Sequence, residues 1–221
     1  MSKLAAIVGE SGSGKSTSIK SLDPKETYII NVAGKELPFK GSSKLYNETN
    51  RNYKSLSLAK EILELAKIIS KDAPQIKTIV IEDSNYIMGF TLINKALEVG
   101  FTKFSVMAKD IVALVQGLKV LRDDLIIYYI THPEVQKDGE DIISYKIKTA
   151  GKAIDSQIVM EGLFTVVLYT HVETKGDKTE YSFITNRFNK YPAKSPLEMF
   201  DEIKIPNELS LVNDAIRDYY A

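Results

Sequence analysis

The chain has no cysteine. That excludes a disulfide framework, a zinc knuckle and a thiol nucleophile, and it is compatible with a reducing intracellular setting. It has no excess of charge either, since 29 Lys and Arg balance 29 Asp and Glu. No global field therefore draws it toward nucleic acid or an anionic membrane, and any such contact must come from a local patch. No stretch approaches the ~18–20 continuous apolar residues that span a bilayer. The short apolar opening from Met1 to Val8 runs straight into a glycine-rich segment, whereas a secretory signal needs a longer apolar region and a cleavage site. No membrane association is expected, and the cytoplasm is the expected compartment. Internal repeats and low-complexity tracts are missing too. What is present is 221 residues, 44% hydrophobic and 26% charged, enough to close a sizeable core. We expect a single domain over residues 1–221, with a core to about residue 135, a hairpin extension to about residue 190 and a tail beyond it.

The order of patterns is that of an α/β protein. Leu4 to Val8 is a short, wholly apolar run of the kind buried in a parallel sheet. Lys15 to Leu22 reads as a helix closed by Asp23 and Pro24, and Thr27 to Val32 as a second strand. Ala33 to Asn52 is a long polar loop. From Ser57 to Ser70 apolar and charged residues divide between two helical faces. Thr78 to Ile81 is a strand closing on Glu82, Asp83 and Ser84; Phe104 to Leu121 is helical; Leu125 to Ile130 is a strand ending in Thr131 and His132. These repeated strand–helix–strand units predict a mostly parallel sheet flanked by helices. Beyond Pro133 the turns Asp138-Gly139 and Lys175-Gly176-Asp177 predict antiparallel hairpins at the edge of that sheet, and a short helix is expected near Leu209 to Tyr219.

One motif carries the chemistry. Gly9-Glu10-Ser11-Gly12-Ser13-Gly14-Lys15-Ser16 fits G-x-x-x-x-G-K-[ST] at every fixed position, between an apolar strand and a helix. Backbone N–H groups at a helix N-terminus can surround phosphates only where side chains stay clear, hence the glycines. The motif predicts ATP with Mg2+, held by Gly9 to Thr17, with Lys15 on the β and γ phosphates and the Ser16 hydroxyl on the metal. A magnesium site of this kind needs a carboxylate at a neighbouring strand end. Either Glu82 or Asp83 can serve, and we favour Asp83 because Asp83-Ser84 resembles the strand ending of RecA-type ATPases. A group must also orient or deprotonate water, for which Glu82 and Glu36 are both candidates. Thr131 or His132, at a carboxyl end of the sheet, could sense the γ-phosphate. His171 is given no role.

Gly9 to Thr17, Tyr28 to Phe39 with its Asn-Val-Ala-Gly-Lys-Glu-Leu-Pro-Phe, the Ile-Val-Ile-Glu-Asp-Ser strand, Lys103-Phe104 and Thr131-His132 together resemble the phage-encoded RecA-like ATP-binding proteins, including single-strand annealing and recombination proteins of the Sak type. The resemblance implies a RecA-like core, ATP-dependent binding of single-stranded DNA, homo-oligomeric rings or filaments, and the cytoplasm of a host cell. Asn31, Val32 and Ala33 stand where RecA-type enzymes place a catalytic glutamate, which puts turnover in question. DNA contact would fall to loops that interleave cations with aromatics. One runs from Lys35 to Lys54, with Lys40, Lys44, Arg51, Phe39, Tyr46 and Tyr53; another from Lys137 to Lys152, with Lys146, Lys148 and Tyr145. Arg187 and Lys194 stand where related ATPases supply a positive charge to the γ-phosphate. Two other readings compete. A small-molecule P-loop kinase would need an arginine-rich lid, yet Arg51, Arg122, Arg187 and Arg217 form no cluster. A nucleotide-gated adaptor with little turnover is kept open by the missing glutamate.

Overall fold

The apolar runs become the strands of one central sheet. The protein is described by a computed structural model covering residues 1–100, 102–150 and 158–221. The strands are β1 (Lys3–Val8), β2 (Thr27–Asn31), β3 (Tyr53–Ser55), β4 (Thr78–Glu82), β5 (Ile126–Thr131), β6 (Pro133–Asp138), β7 (Asp141–Ile147), β8 (Val166–Lys175), β9 (Lys178–Ile184) and β10 (Lys204–Pro206). The helices are α1 (Ser42–Leu45), α2 (Ala59–Asp72), α3 (Asn85–Asn94), α4 (Thr102–Lys119) and α5 (Leu209–Tyr219).

The main sheet has eight strands in the order β10-β9-β8-β1-β5-β4-β2-β3. From β8 to β3 every neighbouring pair is parallel, while β9 and β10 are antiparallel to their neighbours. This is the mostly parallel α/β sheet with antiparallel strands toward the C-terminal edge that the sequence predicts. The hairpins divide, however. β8 joins β1 in parallel inside the sheet, and β6 and β7 form a separate two-stranded sheet. Both of the faces of β8 that meet the main layers carry apolar residues, Val166 to Tyr169, whereas β6 offers the polar Glu134, Gln136 and Lys137 and has no such run to bury.

Side-chain alternation along each strand sorts the core into two layers. Leu4, Ala6, Val8, Ile79 and Ile81 face α2 and α4, whose Ile62, Ala66, Ile69, Ile111 and Leu114 cover them. Ala5, Ile7, Ile29 and Val80 face the opposite way, onto Ile19, Leu22 and the Val212 and Ile216 of α5. Two polar ties fix these layers. Arg122 sends its guanidinium to the carbonyls of Ile69, Ser70 and Ala73, closing the end of α2. Asn213 of α5 accepts from Tyr128 Oη at 2.8 Å and donates to Thr78 Oγ1 at 3.0 Å, pinning the last helix to two central strands.

The helix expected over Lys15 to Leu22 is shorter and tighter, a 3-10 turn over Thr17–Ser21. Ser18 Oγ donates back to the Lys15 carbonyl and Ser21 Oγ to that of Ser18, so hydroxyls take up acceptors that an α-helix would use. Pro24 then leaves no room for further turns.

Candidate functional site

The phosphate-binding motif sits where β1 leaves the sheet between β5 and β8. Gly9 N donates to the Thr131 carbonyl at 3.2 Å, and Ser13 donates to the Glu10 carbonyl through both its backbone N and its Oγ. Thr170 Oγ1 on β8 donates to Ser13 Oγ at 2.7 Å, a contact across 157 residues of sequence. A Cβ at Gly9 would fall 1.8 Å from Thr170 Oγ1, so only glycine admits this buttress. Gly14 adopts the left-handed region, φ +91°, and a Cβ there would lie 2.1 Å from Asn207 Nδ2. Asn207 Nδ2 in turn donates to the Gly14 carbonyl at 3.0 Å, 193 residues away in sequence. Neither Thr170 nor Asn207 stands out in the sequence, because each is an ordinary polar residue until the fold carries it to the loop.

Lys15 is buried and donates from Nζ to the Glu10 carbonyl at 2.7 Å, so its ammonium spans the loop. Burial pulls its pKa down to about 8, against the pull of Glu82 and Asp83 in the other direction.

The two acids at the end of β4 take different positions. Glu82 follows Val80 by two residues and shares its face, the face on which the loop and its 3-10 turn lie. There Ser16 Oγ donates to Glu82 Oε1, while Glu82 Oε2 is buried with no hydrogen-bond partner. Burial pushes the Glu82 carboxyl up to about 7, although the Ser16 hydrogen bond works against it. Asp83 turns away through a left-handed backbone, φ 57°. Its Oδ2 lies 2.6 Å from Lys35 Nζ, an ionic contact, and its Oδ1 lies 3.7 Å from His132 Nε2. Burial opposes its ionisation, but His132 and Lys35 outweigh burial and hold the carboxyl below the ordinary aspartate value. It is therefore Glu82, and not the favoured Asp83, that meets the Ser16 hydroxyl. The sequence leaves this register open because one residue of slip exchanges the two faces.

A cavity of about 310 Å³ lies over the loop, walled by Ser11 to Thr17 together with Lys35, Glu36, Pro38, His132 and Tyr181. Gly9 and Glu10 stand outside this wall. Glu36 and His132 thus come to the same space as Lys15, although 96 residues of sequence separate Glu36 from His132. Asn31 organises this wall. Its Nδ2 donates to the Lys35 carbonyl at 2.6 Å and its Oδ1 accepts from Gly34 N at 2.9 Å, so the side chain at the end of β2 folds the next turn. Thr131 is buried, its Oγ1 without a hydrogen-bond partner. Tyr181 on β9 is a wall residue that strand periodicity alone does not single out.

The aromatics of the two basic loops pack inward, fully at Tyr46 and Tyr145 and in part at Phe39 and Tyr53. Tyr46 is buried with Phe39 edge-on to it, Tyr53 packs against the same layer, and Tyr145 is buried and stacked on Tyr191. Their cations are partly engaged: Lys35 with Asp83, Lys54 with Glu48 and Lys146 with Glu134. Lys40, Lys44 and Arg51 are exposed on the segment that follows Glu36, Lys137 is exposed on β6, and Lys148 is exposed just after β7. Lys152 lies outside the described residues. Arg187 and Lys194 do not line the cavity over the loop. Among the described residues no helix is long and apolar enough to cross a membrane, and no group of three or more His, Asp or Glu converges as a metal site.

A family profile described as AAA domain matches residues 2–197. Among solved structures, the chain is similar to the KaiC-like protein PH0186 from the hyperthermophilic archaeon Pyrococcus horikoshii OT3, at a TM-score of 0.49 and 12% identity over 84% of this chain and 79% of that one. It is also similar to the flagellar accessory protein FlaH from Methanocaldococcus jannaschii, at a TM-score of 0.46 and 13% identity over 85% of this chain and 79% of that one. No curated protein matches the sequence.

Proposed function

The chain belongs to the AAA domain family, and from that membership we propose that it is a magnesium-dependent ATP hydrolase working at Gly9 to Ser16. The observation that carries the proposal is the Ser16 hydroxyl donating to buried Glu82, whose second oxygen has no partner. A hydroxyl and a carboxylate oxygen are the hard donors that magnesium takes, usually with only one or two carboxylates and the substrate's phosphates. Bound there, the metal would supply charge to the β and γ phosphate oxygens. Glu82 would hold the metal shell, the role the sequence reading gave to Asp83. Lys15 would leave the Glu10 carbonyl for the β and γ phosphates. Glu36, on the cavity wall and not engaged with Ser16, would orient or deprotonate water. Lys15→Ala should abolish nucleotide binding in titration calorimetry, and full retention of binding and turnover would refute the assignment. Glu36→Gln should leave binding intact and lower turnover by about 100-fold.

The finer proposal is that turnover is coupled to single-stranded DNA, in recombination or annealing by a phage-encoded homo-oligomer in the host cytoplasm. Its support is the sequence resemblance, together with the exposed Lys40, Lys44 and Arg51 on the same loop as Glu36, where a bound strand would act on the catalytic wall. Hydrolysis measured with and without single-stranded DNA, alongside light scattering, tests it. DNA-stimulated turnover by a large assembly is expected. Phosphate transfer to a nucleoside would sink the proposal, and slow turnover indifferent to DNA would favour an adaptor.

A further inference from the structure

Lys35 is outside the phosphate-binding motif, yet its side chain lines the cavity over it. Its backbone is fixed by Asn31, which accepts from Gly34 N and donates to the Lys35 carbonyl. Its side chain is 53% exposed and is held at the tip by one contact, Asp83 Oδ2 at 2.6 Å. An ammonium on a four-carbon stem with a fixed root can swing between partners within reach. Asp83 does not depend on Lys35 alone, since His132 Nε2 stands 3.7 Å from its other oxygen.

We propose that Lys35 is a γ-phosphate sensor acting within its own chain, resting on Asp83 when no triphosphate is bound and moving to the γ-phosphate when ATP fills the loop. The inference rests on the reading that Gly9 to Ser16 hold ATP. A triphosphate brings several negative oxygens into the cavity that Lys35 already lines, and these outcompete one carboxylate that His132 also serves. Asp83 then keeps His132 as its partner. ADP lacks the terminal phosphate and leaves Lys35 where it is. Because Glu36 is the next residue, the exchange is felt at once by the carboxylate that lines the cavity. Lys35 and Glu36 also wall a second cavity of about 250 Å³, with Leu37, Ser42, Tyr46 and Tyr53, so the exchange alters that space as well.

The test is titration calorimetry of the full chain with magnesium and either ADP or a non-hydrolysable ATP analogue, for the wild type, Lys35→Met and the Lys35→Met/Asp83→Asn pair. Lys35→Met should weaken the triphosphate by about tenfold and ADP by less than about twofold. Retained ADP binding certifies that the variant is folded. The paired variant, which leaves no buried charge unmatched, should keep the loss. An unchanged preference for triphosphate over diphosphate in Lys35→Met, with both still bound, would overturn this inference alone. Restoration of the preference in the pair would also overturn it, showing that Lys35 serves only to neutralise Asp83. A wild type that binds neither nucleotide would overturn the phosphate-loop reading along with it.

Discussion

Glu82→Gln should make the nucleotide-free protein more stable while disabling it, and the gain should depend on pH in a definite direction. The Glu82 side chain is fully buried, and burial, reinforced by Asp83, raises its pKa from 4.5 to about 7 against the Ser16 hydrogen bond, Lys35 and Lys15. The folded protein therefore holds this proton more tightly than the unfolded chain. A group of that sign contributes stability that is full below the unfolded value of 4.5 and is lost as pH rises through about 7. At ~1.36 kcal/mol per pH unit, the loss across that interval is about 3 kcal/mol. Glutamine removes the titration, keeps the shape and still offers Ser16 an acceptor. It also removes an attraction on Lys15, so about 3 kcal/mol is the upper end of the expected gain. Urea unfolding of the wild type and the variant gives the comparison. Near pH 8 the variant should be more stable by about 2–3 kcal/mol, and near pH 5 the gap should shrink below about 1 kcal/mol. Magnesium with a non-hydrolysable ATP analogue should reverse the order near pH 8 by stabilising the wild type selectively. A gap of equal size at the two pH values, or a wild type that is the more stable near pH 8, would refute the buried-carboxylate reasoning.

Two further substitutions test the scaffold apart from the site. Arg122→Ala strips the end of α2 of the donors to Ile69, Ser70 and Ala73, and chemical unfolding should show a loss of about 2–3 kcal/mol with nucleotide affinity unchanged. Asn213→Ala leaves the buried Tyr128 and Thr78 hydroxyls without their shared partner, which should cost about 2 kcal/mol and loosen α5 in hydrogen exchange before the rest of the sheet.

The central strands were legible because burial on both faces demands uninterrupted apolar runs, and Leu4 to Val8, Thr78 to Ile81 and Leu125 to Ile130 lie within a residue of β1, β4 and β5. The α2 and α4 segments were legible from their periodicity, and the β8–β9 hairpin from Lys175-Gly176-Asp177. Helix α3 was not, since Asn-Tyr-Ile-Met-Gly-Phe-Thr-Leu-Ile-Asn has apolar residues all round and a central glycine, which blurs any one-sided pattern. The parallel seat of β8 beside β1 is a fact of topology that hairpin signals do not encode. In the site, the loop was legible because its spacing is rigid. The choice between Glu82 and Asp83 was not, because it turns on one left-handed residue at Asp83. Asn31 shows the same limit: in sequence it is one of three residues, with Val32 and Ala33, where the resemblance leads one to expect a glutamate, and in the fold it builds the turn that sets Lys35 and Glu36 on the wall.

The props of the phosphate-binding loop come from far down the chain, Thr170 and Asn207 standing 157 and 193 residues from their partners Ser13 and Gly14. During synthesis the loop leaves the ribosome well before Thr170 and Asn207 do, so it precedes its supports. A growing chain that has not yet emitted Asn207 carries the whole motif without its finished cradle. Products truncated before Asn207 would keep the motif and lose the contact that shapes it at Gly14.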